Sequence, residues 1–368
     1  MAPVVKELVS RPLDFISRIC VTAQHREMLD QVTTLFGLQA DYDLNVMTPR
    51  QSLAQLTAKL VTGLEKIIGE DQPDVILVHG DTSTTFAASL AAYYHQIPVC
   101  HVEAGLRTGN LYSPWPEEAN RRLTGVLAQL HFSPTESARK NLLREGVTDE
   151  QISVTGNTVI DALFLVRDRI AADAALRQKL EKELDLPGEA CRIILVTGHR
   201  RENFGEGFQR IIEALSLIAR RYPCDLIIFP VHLNPAVREP VHALLGGIAN
   251  IRLIEPLAYL PFVYLMNRSH LIITDSGGIQ EEAPSLGKPV LVTRETTERP
   301  EAVDAGTVRL VGTDPKQIVH WAALLLDDHE VYQRMARAQN PYGDGLASKR
   351  IADGILSSLA LSDGILTP

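Results

Sequence analysis

Short apolar runs alternate with longer amphipathic stretches along almost the whole chain. RICVTAQ (18–24), VILVHG (75–80), IPVCHVEAG (97–105) and AQLHFSPT (128–135) read as parallel strands buried on both faces. Between them lie segments such as SLAQLTAKLVTGLEKIIGE (52–70), with apolar residues three and four apart as an amphipathic helix requires. The second half repeats the rhythm in RIILVTGHR (192–200), DLIIFPVHLNP (225–235), IRLIEPLAYL (251–260), HLIITDSGG (270–278) and PVLVTRETTERPEA (289–302). The halves even echo each other, VILVHGDTS against IILVTGHRR.

Such alternation predicts an α/β fold: two Rossmann-like, doubly wound domains, each a parallel sheet with helices on both faces. A length of 368 residues also exceeds what one core usually supports. The boundary is expected near residues 157–190, where DAALRQKLEKELDLPGEACR is polar and broken by Pro-Gly. Ligands of such sheets sit beyond the carboxyl ends of the strands, here in a cleft faced by both domains. The front is unusual. A doubly wound domain opens with a strand, whereas this chain opens on the helix-like MAPVVKELV, so the first strand is expected to be missing.

Composition narrows the partners. The formal net charge is −9 and no Lys/Arg block occurs, which argues against nucleic acid and anionic membrane. A local arginine cluster can still attract an anionic small molecule. Four scattered cysteines without a C-x-x-C pair suit a reduced compartment and argue against a disulfide framework or zinc site. With no membrane-length apolar run and no signal-peptide layout, the expected location is the cytoplasm.

The candidate chemistry lies at the predicted strand ends. In TDSGGIQEEA the glycines Gly277 and Gly278 let backbone approach a ligand at a helix start, where free N–H groups and the helix dipole favour a diphosphate. Ser276 can cap that helix or donate to a phosphate oxygen, and Glu282 suits a ribose diol. The same residues would also make a plain tight turn with solvated glutamates. No G-x-G-x-x-G follows any strand, which lowers a dehydrogenase reading. Asp81 in HGDTSTT, Glu103 in HVEAGLRTGN, and Glu117 with Glu118 in SPWPEEANR place carboxylates at successive strand ends. Crowded carboxylates divide general acid and base roles, although each one singly could serve as a helix cap or first-turn charge. His199, Arg200 and Arg201 in TGHRRENFG suit phosphate recognition, and Arg299 in TTERPEA adds a further cation.

Taken in order, HGDTSTT, HVEAGLRTGNLYSPWPEEANR, TGNTVIDAL, TGHRRENFG, PVHLNP, TDSGGIQEEAPSLGKPVLV, TTERPEA and NPYGDG resemble the non-hydrolysing UDP-N-acetylglucosamine 2-epimerases, over nearly the whole chain and most like the enterobacterial members. The resemblance implies a glycosyltransferase-B-type fold, with domains at 1–160 and 161–345 and a C-terminal helix, within 346–368, returning to the first. It implies interconversion of UDP-GlcNAc and UDP-ManNAc without NAD or metal, by elimination of UDP to 2-acetamidoglucal and its re-addition. Products of that kind feed surface polysaccharide or enterobacterial common antigen, and the family's usual state is a homodimer. Asp81, Glu103 and Glu117 match the family's catalytic carboxylates, with the proton-abstracting one left open. His199 matches a catalytic and phosphate contact; Ser276, Gly277 and Gly278 match phosphate contacts; Glu282 matches the ribose contact and Arg299 a further active-site position. Some members bind a second, activating UDP-GlcNAc, and the corresponding residues are Gln24, Arg26, Arg50, Gln51 and His232; Glu27 replaces a glutamine those members carry. The family opens with a strand and a Gly-Thr-Arg-Pro-Glu loop, and this chain starts just after both. Competing readings are a hydrolysing relative releasing ManNAc and UDP, a glycosyltransferase on the same fold, and a catalytically inactive UDP-sugar-binding protein.

Overall fold

The computed structural model describes residues 1–360 apart from 25, 189, 201, 202 and 204. Arg201 and the final residues of the expected C-terminal helix, 361–368, therefore lie outside the described residues. The chain divides into two compact units, Met1–Ala162 together with the chain from Gly343 onward, and Leu163–Tyr342.

In the first unit, β1 (Cys20–Val21) pairs in parallel with β2 (Tyr42–Asp43). A separate parallel sheet has the order β3 (Ile76–His79), β4 (Val99–Val102), β5 (Leu130–Ser133), β6 (Ile152–Val154). Neither β2 nor β6 is visible in the apolar pattern, because two- and three-residue strands with polar members have too little periodicity to register. Between β1 and β3 lies a cavity of about 430 Å³, lined by Cys20 and Thr22 on one side and Ile76 and Val78 on the other. The expected first strand has no counterpart there among the described residues.

The helices follow their sequence signals closely. Leu53–Asp71 opens on a capping box formed by Ser52 and Gln55, and Leu56, Leu60, Leu64 and Ile68, each four apart, face the core. Leu60 is fully buried, a contribution of roughly 2 kcal/mol from its side chain alone. The C-terminal helix Ala347–Ala360 presents its first N–H groups to Asp161, at 3.2 Å from Ala347 and 2.7 Å from Ser348. Its Ile351, Ala352 and Ile355 pack with Val4, Leu8 and Phe132, binding it into the first unit.

The second unit is a six-stranded parallel sheet. Its strands are β7 (Ile193–Thr197), β8 (Leu226–Pro230), β9 (Ile251–Ile254), β10 (Leu271–Thr274), β11 (Val290–Val292) and β12 (Val308–Leu310). The order β12-β11-β10-β7-β8-β9 is that of a doubly wound sheet, with its switch point between β7 and β10. The stretch read as polar and broken is in fact helical on both sides of Asp173, over Thr158–Ala172 and Ala174–Glu183. Asp173 caps the second of these through Leu176 N at 2.9 Å, and Leu180 supplies its buried contact. The Pro187-Gly188 break comes only after that helix ends.

Two histidines face each other inside the first unit's sheet, His101 on β4 and His131 on β5. Burial pushes their pKa values down to about 4 and about 3, although the bond from His101 Nε2 to Gly80 O (2.7 Å) works the other way. Histidines of the unfolded chain titrate near 6.5, so protons favour unfolding. Stability is full above that pH and falls as pH drops toward the folded values. Thermal melting should therefore show Tm declining between about pH 6.5 and about pH 4, and His131→Gln should make that decline shallower. Parallel declines in both proteins would remove His131 as a cause.

Candidate active site

In a doubly wound sheet the chain leaves the two switch-point strands in opposite directions, so the loops at their carboxyl ends diverge and leave a crevice. Thr197 ends β7, Thr274 ends β10, and the two are register partners whose hydroxyls lie 2.6 Å apart. Thr274 Oγ1 also accepts Ser276 N at 2.9 Å, which turns the chain toward the helix Gly277–Ser285. Asp275 is buried beneath both loops. Its carboxylate accepts His199 N at 3.0 Å and Arg200 N at 2.9 Å, and lies 3.4 Å from His199 Nδ1.

Ser276 takes the N-cap position, but its side chain makes no capping bond, so the hydroxyl is left for another acceptor. Gly277 has a protein reason to be glycine: an added Cβ would stand 3.3 Å from the Arg299 guanidinium. Gly278 has none, since a Cβ there would meet open space and its φ is not positive. Arg299 is anchored by Glu281 at 2.7 Å. Glu282 is buried and receives the Tyr259 hydroxyl at 2.5 Å. Burial pushes the Glu282 carboxyl up to about 7, against the pull of the tyrosine bond. The imidazole of His232 stacks on that of His199 with centroids 5.8 Å apart, and its Nδ1 accepts Asn234 N.

The first unit collects carboxylates. Asp81 follows β3, and Glu103 follows β4 with φ 62°, a left-handed conformation that costs a residue with a side chain about 1 kcal/mol or more. Glu103 lies 3.3 Å from His79 Nε2. Glu117 is not at a third strand end. It opens the helix Glu117–Leu127 that follows the β4 loop, so two strands, and not three, supply the cluster. That helix also carries Arg121, which bridges Asp81 at 2.7 Å and Glu118 at 3.2 Å, while Asn120 Nδ2 donates to Asp81 O at 2.9 Å. The adjacent glutamates play different parts. Glu118 is wholly buried and accepts Thr108 N and Gly109 N at 3.0 and 3.1 Å. Glu117 Oε2 is buried and has no hydrogen-bond partner among the described residues.

The residues expected at a second nucleotide site are less uniform. Arg26 is taken up by Asp43 at 2.7 Å, and Gln51 Oε1 caps Thr48 N at 2.9 Å. Arg50 is exposed with φ 58°, and Gln24 lies in the turn before the helix Arg26–Phe36. These four belong to the first unit, whereas His232 belongs to the second, beside His199. Three residues with evident structural parts in these sites escaped the sequence reading: Arg121, Asp275 and Tyr259. Asp275 sat inside a quoted motif, but its partners are main-chain N–H groups 75 residues away. Tyr259 pairs across 23 residues, beyond any local pattern. Among the described residues no group of His, Cys, Asp and Glu is arranged for a metal, and no helix is long and apolar enough to cross a membrane.

Two parallel α/β units, one doubly wound with an anion-suited switch point and one with carboxylates after its strands, define a glycosyltransferase-B-type α/β enzyme. A family model described as UDP-N-acetylglucosamine 2-epimerase matches residues 6–356, and the chain belongs to that family. The UDP-N-acetylglucosamine 2-epimerase of Yersinia pestis is 62% identical over 351 residues, 95% of this chain and 93% of that protein. The Escherichia coli enzyme is 60% identical over 355 residues, 96% of this chain and 94% of that one. Among solved structures, the UDP-GlcNAc 2-epimerase of Neisseria meningitidis bound to UDP-GlcNAc superposes with TM-score 0.87 at 54% identity, covering 97% of this chain and 96% of that one.

The contrast between the paired glutamates is directly measurable. Glu118→Gln should cost on the order of 2–3 kcal/mol in urea or thermal unfolding, because a buried carboxylate loses charge-assisted bonds. Glu117→Gln should change stability by less than about 0.5 kcal/mol. Equal losses in the two variants would contradict the assignment of Glu118 as the anchor.

Proposed function

We propose that this protein interconverts UDP-GlcNAc and UDP-ManNAc by inverting carbon 2. The observation that carries the reading is the β10 loop, where an uncapped Ser276 hydroxyl and the open face of Gly278 stand at a helix N-terminus next to His199. That combination suits a diphosphate, whose charge grows as it leaves. Glu282, four residues further along, suits the ribose diol, and Arg299 adds positive charge over Gly277.

The reaction needs a proton removed from carbon 2 and one returned to its opposite face. In the forward direction a base takes the carbon 2 proton while the bond from carbon 1 to the UDP oxygen breaks, leaving 2-acetamidoglucal and UDP. An acid then protonates carbon 2 from the other side as the UDP oxygen re-forms the bond to carbon 1. Asp81, Glu103 and Glu117 are the groups for these transfers. Glu117 has a free, desolvated oxygen, Glu103 is held in a strained backbone, and Asp81 is paired with Arg121 at 2.7 Å. His199, with Asp275 behind it, is the group assigned to the leaving diphosphate. We assign no role to Gln24, Arg26, Arg50 and Gln51 beyond a candidate site for a second nucleotide sugar.

Proton NMR with UDP-GlcNAc in deuterated buffer should show UDP-ManNAc carrying deuterium at carbon 2. Release of free ManNAc would instead indicate the hydrolysing chemistry, and no product would overturn the proposal. Asp81→Asn, Glu103→Gln and Glu117→Gln should each lower kcat by on the order of a hundredfold, and a near-normal rate excludes that residue from proton transfer. Gly278→Ala should keep or slightly raise Tm, given its helical position, yet weaken UDP binding by roughly tenfold in calorimetry. Undiminished binding would mean that no ligand backbone contact is made there.

A further inference from the structure

Glu282 lies on the helix Gly277–Ser285, buried, with the Tyr259 hydroxyl donating to its Oε1 at 2.5 Å. Tyr259 is the first residue of another helix, Tyr259–Arg268, which follows β9 in the same unit. A carboxylate has two oxygens, and one is thereby committed to the protein. We propose that Tyr259 is a positioning residue for nucleotide recognition: it fixes Glu282 by one oxygen and so presents the other to the cis-diol of the bound ribose. This rests on the reading of the β10 loop as the nucleotide site.

The chemistry of a diol sharpens the inference. Ribose hydroxyls donate readily to an ionised carboxylate, whereas a protonated carboxyl spends one oxygen as a donor itself. Glu282 is close to the balance between these forms, since burial raises its carboxyl to about 7, the Tyr259 bond lowers it, and Glu281 raises it further. The titratable groups facing it are thus Tyr259 from the neighbouring helix and Glu281 from its own. Glu281 is itself neutralised by Arg299 at 2.7 Å. Tyr259 carries a hydroxyl that burial and Glu282 keep protonated, so it acts as a permanent donor. Its bond favours the ionised, diol-accepting form of Glu282 at neutral pH.

The test is calorimetric titration of the full chain with UDP-GlcNAc from about pH 5.5 to about 8.5, a range in which the ligand's doubly esterified diphosphate does not titrate. For the wild type, affinity should rise with pH through about 7 and then level. In Tyr259→Phe the midpoint should move up by roughly one unit, with affinity at pH 7 about fivefold weaker and the gap closing at high pH. KM should rise while kcat at saturation holds. Glu282→Gln should bind weakly and lose the rise in affinity centred near pH 7. A Tyr259→Phe profile superimposable on the wild type would overturn the proposal, as would a rise near pH 7 as large in Glu282→Gln as in the wild type. Wild-type turnover is measured alongside. Binding without product sinks the epimerase reading while the affinity profiles still decide the role of Tyr259, and absence of wild-type binding overturns both.

Discussion

Asp275 places a carboxylate where solvent scarcely reaches, and an isolated buried charge of that kind would cost several kcal/mol. It is sustained by main-chain N–H groups of His199 and Arg200, donated from the loop after β7 to the end of β10. The interaction is therefore more than a local cap. It ties together the two loops at the switch point, which would otherwise diverge, and holds the His199 backbone next to Ser276. Glu281 fixes Arg299 and Tyr259 fixes Glu282 on the helix that begins just after that tie. The Thr197–Thr274 contact at 2.6 Å sets the same two strands in register just below it.

The first unit answers the same physical problem with a different arrangement. Its charged residues sit after β3 and β4 and on the helix Glu117–Leu127, where a buried carboxylate again needs donors. Glu118 satisfies that need with Thr108 N, Gly109 N and Arg121, and so becomes scaffold. Arg121 in turn holds Asp81. Glu117, one residue earlier, points elsewhere and keeps a buried oxygen without a partner among the described residues. Adjacent positions on a helix lie about 100° apart, which lets one glutamate be bonded into the scaffold while its neighbour keeps an oxygen unbonded. The unpaired oxygen and the left-handed Glu103 are departures from the lowest local energy, of the kind that concentrates where chemistry is done.

The bare Gly-Gly shows how one motif can have two causes. Gly277 is explained inside the protein, by the guanidinium of Arg299 standing over it, and Arg299 is fixed there by Glu281. Gly278 is explained by nothing within the protein, neither contact nor backbone angle. A glycine without internal need at a helix N-terminus leaves the main chain open to an external group, as the proposed diphosphate contact requires.

Alternating apolar runs and amphipathic helices were enough to read the two-fold α/β plan, most of the strands, and the loops at their carboxyl ends. Those signals are local, because burial on both faces of a strand and on one stripe of a helix is written in consecutive residues. Motif order across the whole chain carried the family as well. What the sequence left open were pairings between distant segments. The strands Tyr42–Asp43, Ile152–Val154 and Val308–Leu310 are too short or too polar to show alone and exist because a neighbour offers its edge. The division of labour between Glu117 and Glu118, the service of Asp275 to His199 and of Tyr259 to Glu282, and the placing of Arg121 against Asp81 are all set by packing. A side chain's residue type fixes which bonds it can make; only the folded chain, by deciding which partners come within about 3 Å, determines the ones it does make.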